Sequence, residues 1–142
     1  MDEIVVDSSV VIKWFVVEPH STEARRLLDE YQNGAIELLA PDLLHAEVGN
    51  IAWKKHRFQG MAAPDAQLIV DGFRGLKFTL TSTADLLDDA FRLAVAHQRT
   101  VYDMMYVALG LRNNCRIATA DEKLVNALSG IVPKLTWIAN WP

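Results

Sequence analysis

The sequence predicts an α/β protein: a three-layer α/β/α sandwich whose central sheet is mostly parallel. Two observations predict it. Short apolar, β-branched runs alternate along the chain with longer segments of helical periodicity. That alternation is the pattern of parallel strands joined by crossover helices covering both faces of a sheet. The chain also has 142 residues, 51% of them hydrophobic, which suits one domain with a sizeable core and excludes a disordered chain. No repeat, low-complexity tract or linker divides it, so residues 1–142 are read as a single domain.

The elements follow in order. Ile4, Val5 and Val6 form a strand over residues 3–7, and residues 9–16 suit a short helix. In "HSTEARRLLDEY" Ala24, Leu27, Leu28 and Tyr31 share one helical face, and Asn33 and Gly34 stop the helix. "AIELLAP" is a strand ended by Pro41. A helix over residues 42–58 turns Leu44, Val48, Ile51 and Ala52 inward, and another spans about residues 63–74. "LKFTLT" is the third strand. Ser82 or Thr83 opens a helix to about His97, with Asp85 as a capping-box partner for Ser82. Thr100 opens the helix "VYDMMYVALGLR", "CRIATA" is the fourth strand, "DEKLVNALSG" is a helix ended by Gly130, and "KLTWI" suits a last strand.

Composition narrows the function. A net charge of −4 argues against a protein that coats nucleic acid non-specifically, but not against a nuclease with a small local site. The lone Cys115 forms no internal bridge and no thiolate cluster, and it fits a reducing cytoplasm. No signal peptide is visible, and no apolar run is long enough for a membrane span.

Four carboxylates stand where the pattern wants apolar groups or caps. Asp7 ends the first strand, at the carboxyl edge where α/β sheets place ligands, though an Asp there also suits a helix N-cap. Glu47 lies on or beside an apolar helix stripe, where it is either paired, metal-bound or reaching water from the edge. Asp103 is the only charge between Val101 and Leu111, in a helix apolar enough to be buried, and it also has capping-box spacing from Thr100. Asp121 follows the fourth strand, with Thr119 and Glu122 at capping-box spacing around it. Converging carboxylates repel and raise one another's pKa values, and a hard divalent cation removes that penalty. Together they point to a metal site.

The order "VVDSS", "HAEVGN", "TVYDMMYVALG", "IATADEKL" resembles the PIN-domain ribonucleases, and above all the VapC-type toxins of prokaryotic toxin–antitoxin pairs. The likeness spans nearly the whole chain. It implies that Asp7, Glu47, Asp103 and Asp121 are catalytic metal ligands, with Ser8, Ser9 and Thr119 as polar groups behind them. It implies one or two Mg²⁺ or Mn²⁺ ions, hydrolysis of RNA by metal-activated water, a small antitoxin partner and a homodimer. Met104 and Met105 depart from the pattern, since small residues are common after the third motif.

Lys13, Lys54, Lys55 and Arg57 are candidate nucleic-acid contacts, although "KKHR" also suits a solvated helix C-terminus. Trp14 could stack on a base but is better read as partly buried, and Tyr102 and Tyr106 are read as core. The histidines are scattered without metal-ligand spacing. A receiver domain would need a phospho-acceptor Asp mid-chain, for which only Asp42 is at hand. A haloacid-dehalogenase-like phosphatase wants an Asp where Ser9 stands. A non-catalytic interaction module, with all four acids as caps, would bind no metal tightly.

Overall fold

Five strands and seven α-helices alternate along the chain in the computed structural model, which describes residues 1–142. β1 (Asp2–Val6) leads into a single helical turn, α1 (Ser8–Val11), which tightens to 3-10 geometry over Ile12–Trp14. The expected helix over residues 9–16 is therefore two short turns. The β-branched run Val10–Val11–Ile12 has weak helix propensity and is held by burial instead. Next come α2 (Ser21–Gln32), β2 (Ile36–Pro41), α3 (Leu43–Gln59), α4 (Ala63–Arg74) and β3 (Phe78–Thr81). The chain closes with α5 (Thr83–His97), α6 (Val101–Asn113), β4 (Arg116–Thr119), α7 (Glu122–Ala127) and β5 (Leu135–Trp137).

All five strands are parallel, in the order β3-β2-β1-β4-β5. From β1 the chain steps outward to β2 and β3, then crosses back to β4 on the other side of β1. Right-handed crossovers running in opposite directions put their helices on opposite faces, which produces the three layers. The reversal leaves a crevice beyond the carboxyl ends of β1 and β4, where sheets of this kind bind ligands. The β1–β4 register, Val6 beside Ala118, brings the residues that follow both strands together.

The core explains why the centre is rigid. Ile4, Val5 and Val6 are at most 1% exposed, because β1 has neighbours on both edges and helices on both faces. α6 packs on β1, β2 and β4, and every residue from Met104 to Gly110 is buried. Met104 and Met105 fill core volume there, so the departure from small residues is absorbed by packing. Ala24 and Leu27 of α2, and Leu44, Val48 and Ala52 of α3, face the core, while Leu28, Tyr31 and Ile51 lie at its margin. No helix is long and apolar enough to cross a membrane.

Candidate active site

Asp7 sits at the crevice, 9% exposed, immediately after β1. Its Oδ1 accepts from the Ser9 backbone N–H at 3.0 Å and from the Ser8 hydroxyl at 3.3 Å. Its Oδ2 accepts from the Thr119 hydroxyl at 2.9 Å. Asp7 therefore caps α1, and the same bonds fix its carboxylate at the strand end. Thr119, fully buried, also accepts from the Asp121 N–H at 3.2 Å, so one hydroxyl links the first and fourth motifs. Ser9 Oγ accepts from the Ala120 N–H at 3.0 Å and ties the same two loops. Ser8, Ser9 and Thr119 thus all touch the scaffold around Asp7.

Two expected capping boxes do not form. Asp121 itself caps α7, its Oδ1 accepting from Leu124 N–H at 3.1 Å. Thr119 is drawn across the sheet to Asp7, so it cannot pair with Glu122. Ser82 caps α5 by accepting from Ala84 N–H, not from Asp85. At α6 the cap is half a box: Thr100 Oγ1 accepts from the Asp103 backbone N–H at 3.1 Å, a bond that does not require the carboxylate. Asp42, the weak phospho-acceptor candidate, accepts from Thr83 N–H at the start of α5.

Electrostatics relate the acids to one another. Burial raises the Asp7 pKa, against the pull of its hydrogen bonds. Burial raises Glu47 too, and the charges of Asp7 and Asp103 add to the rise. Asp103 is raised first by burial, then by Asp7 and Asp121. The charge of Asp7 thus bears on both Glu47 and Asp103, and that of Asp121 on Asp103. No three His, Cys, Asp or Glu side chains stand close enough together to hold an ion among them. The donor set is all oxygen and open to solvent on one side, which suits a hydrated Mg²⁺ or Mn²⁺ that keeps several waters.

Sequence reasoning missed the group that holds Glu47. Tyr106, 3% exposed, donates its hydroxyl to Glu47 Oε1 at 2.5 Å. Burial, the Glu47 charge and the hydrogen bond all push the Tyr106 hydroxyl up, so it stays a donor. The signal was available: a tyrosine in a buried helix, three residues after Asp103, needs a partner for its hydroxyl. Tyr102, also read as core, is 62% exposed. Trp14 is core, donating from Nε1 to the Ala24 carbonyl at 2.8 Å.

The four candidate cations divide. Lys13 is buried and bonded to Glu18 Oε1 at 3.2 Å, and Lys55 reaches Glu18 Oε2 at 3.5 Å. Both are thus paired with the same carboxylate. Lys54 and Arg57 remain exposed, Arg57 lying over the Phe58 ring. Separately, an apolar cavity of about 410 Å³ between α3, α4 and β3 contains none of the four acids.

A family model described as PIN domain matches residues 4–127. The chain belongs to the PIN-domain family. This PIN domain is 34% identical over 135 residues to Ribonuclease VapC3 of Pyrobaculum aerophilum, covering 92% of this chain and 98% of that protein. Among solved structures it is similar to a second protein of Pyrobaculum aerophilum, PAE2754, with a TM-score of 0.65 at 22% identity, over 91% of this chain and 81% of the other. It is similar also to a toxin–antitoxin complex from Klebsiella pneumoniae, with a TM-score of 0.63 at 15% identity, over 95% and 97% of the two chains. At these identities the structural likeness is one of fold, and it matches the all-parallel sheet described above.

Proposed function

We propose that this PIN domain is a ribonuclease of the VapC kind, the toxin of a toxin–antitoxin pair, hydrolysing RNA phosphodiesters with Mg²⁺ or Mn²⁺. The observation that carries the reading is the placement of Asp7 and Asp121 at the ends of β1 and β4, linked through the Thr119 hydroxyl where the strand order reverses, with the charge of Asp7 bearing on Glu47 and Asp103. Kinship with a protein named a ribonuclease supports RNA as the substrate. Likeness to a toxin–antitoxin complex supports a small antitoxin as partner.

Asp7, Glu47, Asp103 and Asp121 would hold the ion, directly or through its waters. A bound divalent ion would neutralise the cluster, acidify a water for attack on phosphorus and stabilise the departing oxygen. The chain's own residues prepare that chemistry. Ser8, Ser9 and Thr119 fix both Asp7 oxygens, and Tyr106 fixes one oxygen of Glu47. Such anchoring keeps the cluster from splaying under its own repulsion and preorganises it for charge developing at the phosphate. Without the ion, the same cluster repels a phosphodiester.

The test is RNA cleavage by the purified chain. Cleavage in Mg²⁺ or Mn²⁺, abolished by EDTA and by Asp103→Asn, is the expected result. Cleavage that persists in both controls would remove the carboxylates from the chemistry.

A further inference from the structure

Glu47 alone of the four acids also lines an open cleft of about 430 Å³ between α3 and the first turn of α6. One wall is a single stripe of α3, with Leu43, Ala46, Glu47, Asn50 and Lys54 following helical spacing. The other wall is Tyr102. Tyr102 lies one turn before Tyr106, whose hydroxyl holds Glu47, and so on the Glu47 side of α6. Its neighbours from Met104 onward are buried, yet its own ring is 62% exposed. Core packing accounts for Tyr106 but not for an exposed aromatic directly before Asp103. Lys54 differs from its neighbours in the same way. Lys13 and Lys55 are engaged by Glu18, whereas Lys54 is exposed and free of ion pairs.

We propose that this cleft seats one unpaired nucleotide beside the scissile phosphate, its base stacked on Tyr102 and a flanking phosphate met by Lys54. The inference rests on the ribonuclease reading of the adjoining cluster and adds to it the residues that position the strand, Tyr102 and Lys54. A base can lie on a tyrosine face only when it has left its own stack, which selects single strands, loops and ends over duplex. Leu43 and Ala46 give the base an apolar floor, and Asn50 offers an amide to its edge. Lys54 lies two helical turns from Glu47, about 10 Å along α3. That places it at a neighbouring phosphate and leaves the scissile one to the cluster. Tyr102 is a positioning residue here, and it takes no part in bond making.

Fluorescence anisotropy tests the seat. The probes are a labelled single-stranded oligoribonucleotide and its fully abasic counterpart, bound to the otherwise wild-type chain with Ca²⁺ in place of Mg²⁺, so that the cluster keeps all four acids and a hard divalent ion. Tyr102→Ala should then raise Kd for the normal strand roughly five- to a hundred-fold and leave the abasic strand unchanged, while Tyr102→Trp restores binding. Lys54→Gln should weaken both strands alike and reduce the salt slope of log Kd by about 0.7. In Mg²⁺ Tyr102→Ala should raise KM with kcat unchanged, because stacking holds ground state and transition state equally. Equal loss on normal and abasic strands, no loss on either, or no binding of the oligoribonucleotide overturns the proposal. A cleft that serves a protein partner alone would give the second of these results. A wild-type chain that cuts no RNA removes the ribonuclease reading, and the anisotropy comparison still decides whether the cleft takes a base.

Discussion

Burial raises the pKa of Asp7 while Ser8, Ser9 and Thr119 donate to its carboxylate. Without metal the native protein therefore holds a carboxylate whose charge is harder to keep than in water, as it does at Glu47 and Asp103. A carboxyl whose folded pKa lies above its unfolded value binds protons more tightly in the native state. Its contribution favours folding while it is protonated, and is lost as pH rises from the ordinary carboxylate range through the raised value. Asp7→Asn removes the charge but keeps an oxygen to accept from Ser9 N–H, and Thr119 can turn to accept from the new amide. In EDTA the variant should melt as high as wild type or higher, and its advantage should widen as pH rises through that window. Thermal melts in EDTA at a series of pH values check both points. A variant advantage that shrinks with rising pH would mean Asp7 is not a strained charge. Asp7→Ala should melt below Asp7→Asn, by about 1 kcal/mol, because the cap of α1 goes with it. At Tyr106, deleting the hydroxyl leaves Glu47 without its donor. Tyr106→Phe should lower stability by about 1 kcal/mol in urea unfolding and slow cleavage in single-turnover assays.

At the scale of elements, three helix starts meet at the crevice, capped by Asp7, Thr100 and Asp121. Helix N-termini favour negative charge, so capping and a cluster of acids are compatible at one place. This is why reading Asp7 as either a cap or a site residue in the sequence was a false choice: it caps α1 and faces the cluster. The end of β1 and the body of α6 were legible because full burial leaves an unbroken apolar run. The capping boxes were not, because spacing shows which amide a hydroxyl could reach and not what competes for it. Thr119 finds Asp7, 112 residues away in sequence. Likewise Lys13 looked free until the fold brought Glu18 to it, and Tyr102 and Tyr106 share a helix face but differ in what lies opposite. α6 also sits close over β4: a methyl added at Gly110 would overlap the Ile117 side chain. Gly110→Ala gains up to about 1 kcal/mol of helix propensity, yet overpacking of this kind costs about 1–3 kcal/mol. The net result should be a lower melting temperature, and Ile117→Val in the same chain should recover part of it.

For the whole molecule, the distribution of exposed apolar groups bears on assembly. The outward face of α2 is charged, with Arg25 and Asp29 exposed, and offers a homodimer little apolar surface. A longer apolar row lies on α5, where Leu87, Phe91 and Val95 repeat every four residues and each is more than half exposed. Asp88 and Arg92 pair beside it at 3.0 Å. A second copy laid antiparallel across a two-fold axis would set Phe91 against its counterpart and Asp88 near the other Arg92, which makes the row self-complementary. Light scattering should give a dimer mass at micromolar concentration, and Phe91→Glu should give a monomer. Metal binding is the other property of the whole chain, since an ion held only by the native state stabilises all of it. At ten times its dissociation constant, Mg²⁺ should add roughly 1.4 kcal/mol to wild type. Asp103→Asn should be as stable as wild type or more so in EDTA, because one repelling charge is gone and the backbone bond to Thr100 remains. It should then gain much less from Mg²⁺. Thr100→Ala separates capping from ligation. It should lose about 1 kcal/mol with or without metal, yet keep the full Mg²⁺ increment, because the Asp103 carboxylate is intact. Melts of the three chains, each in EDTA and in Mg²⁺, decide the matter. If Asp103→Asn falls in EDTA by as much as Thr100→Ala and keeps the whole increment, Asp103 is a capping residue and the metal lies elsewhere.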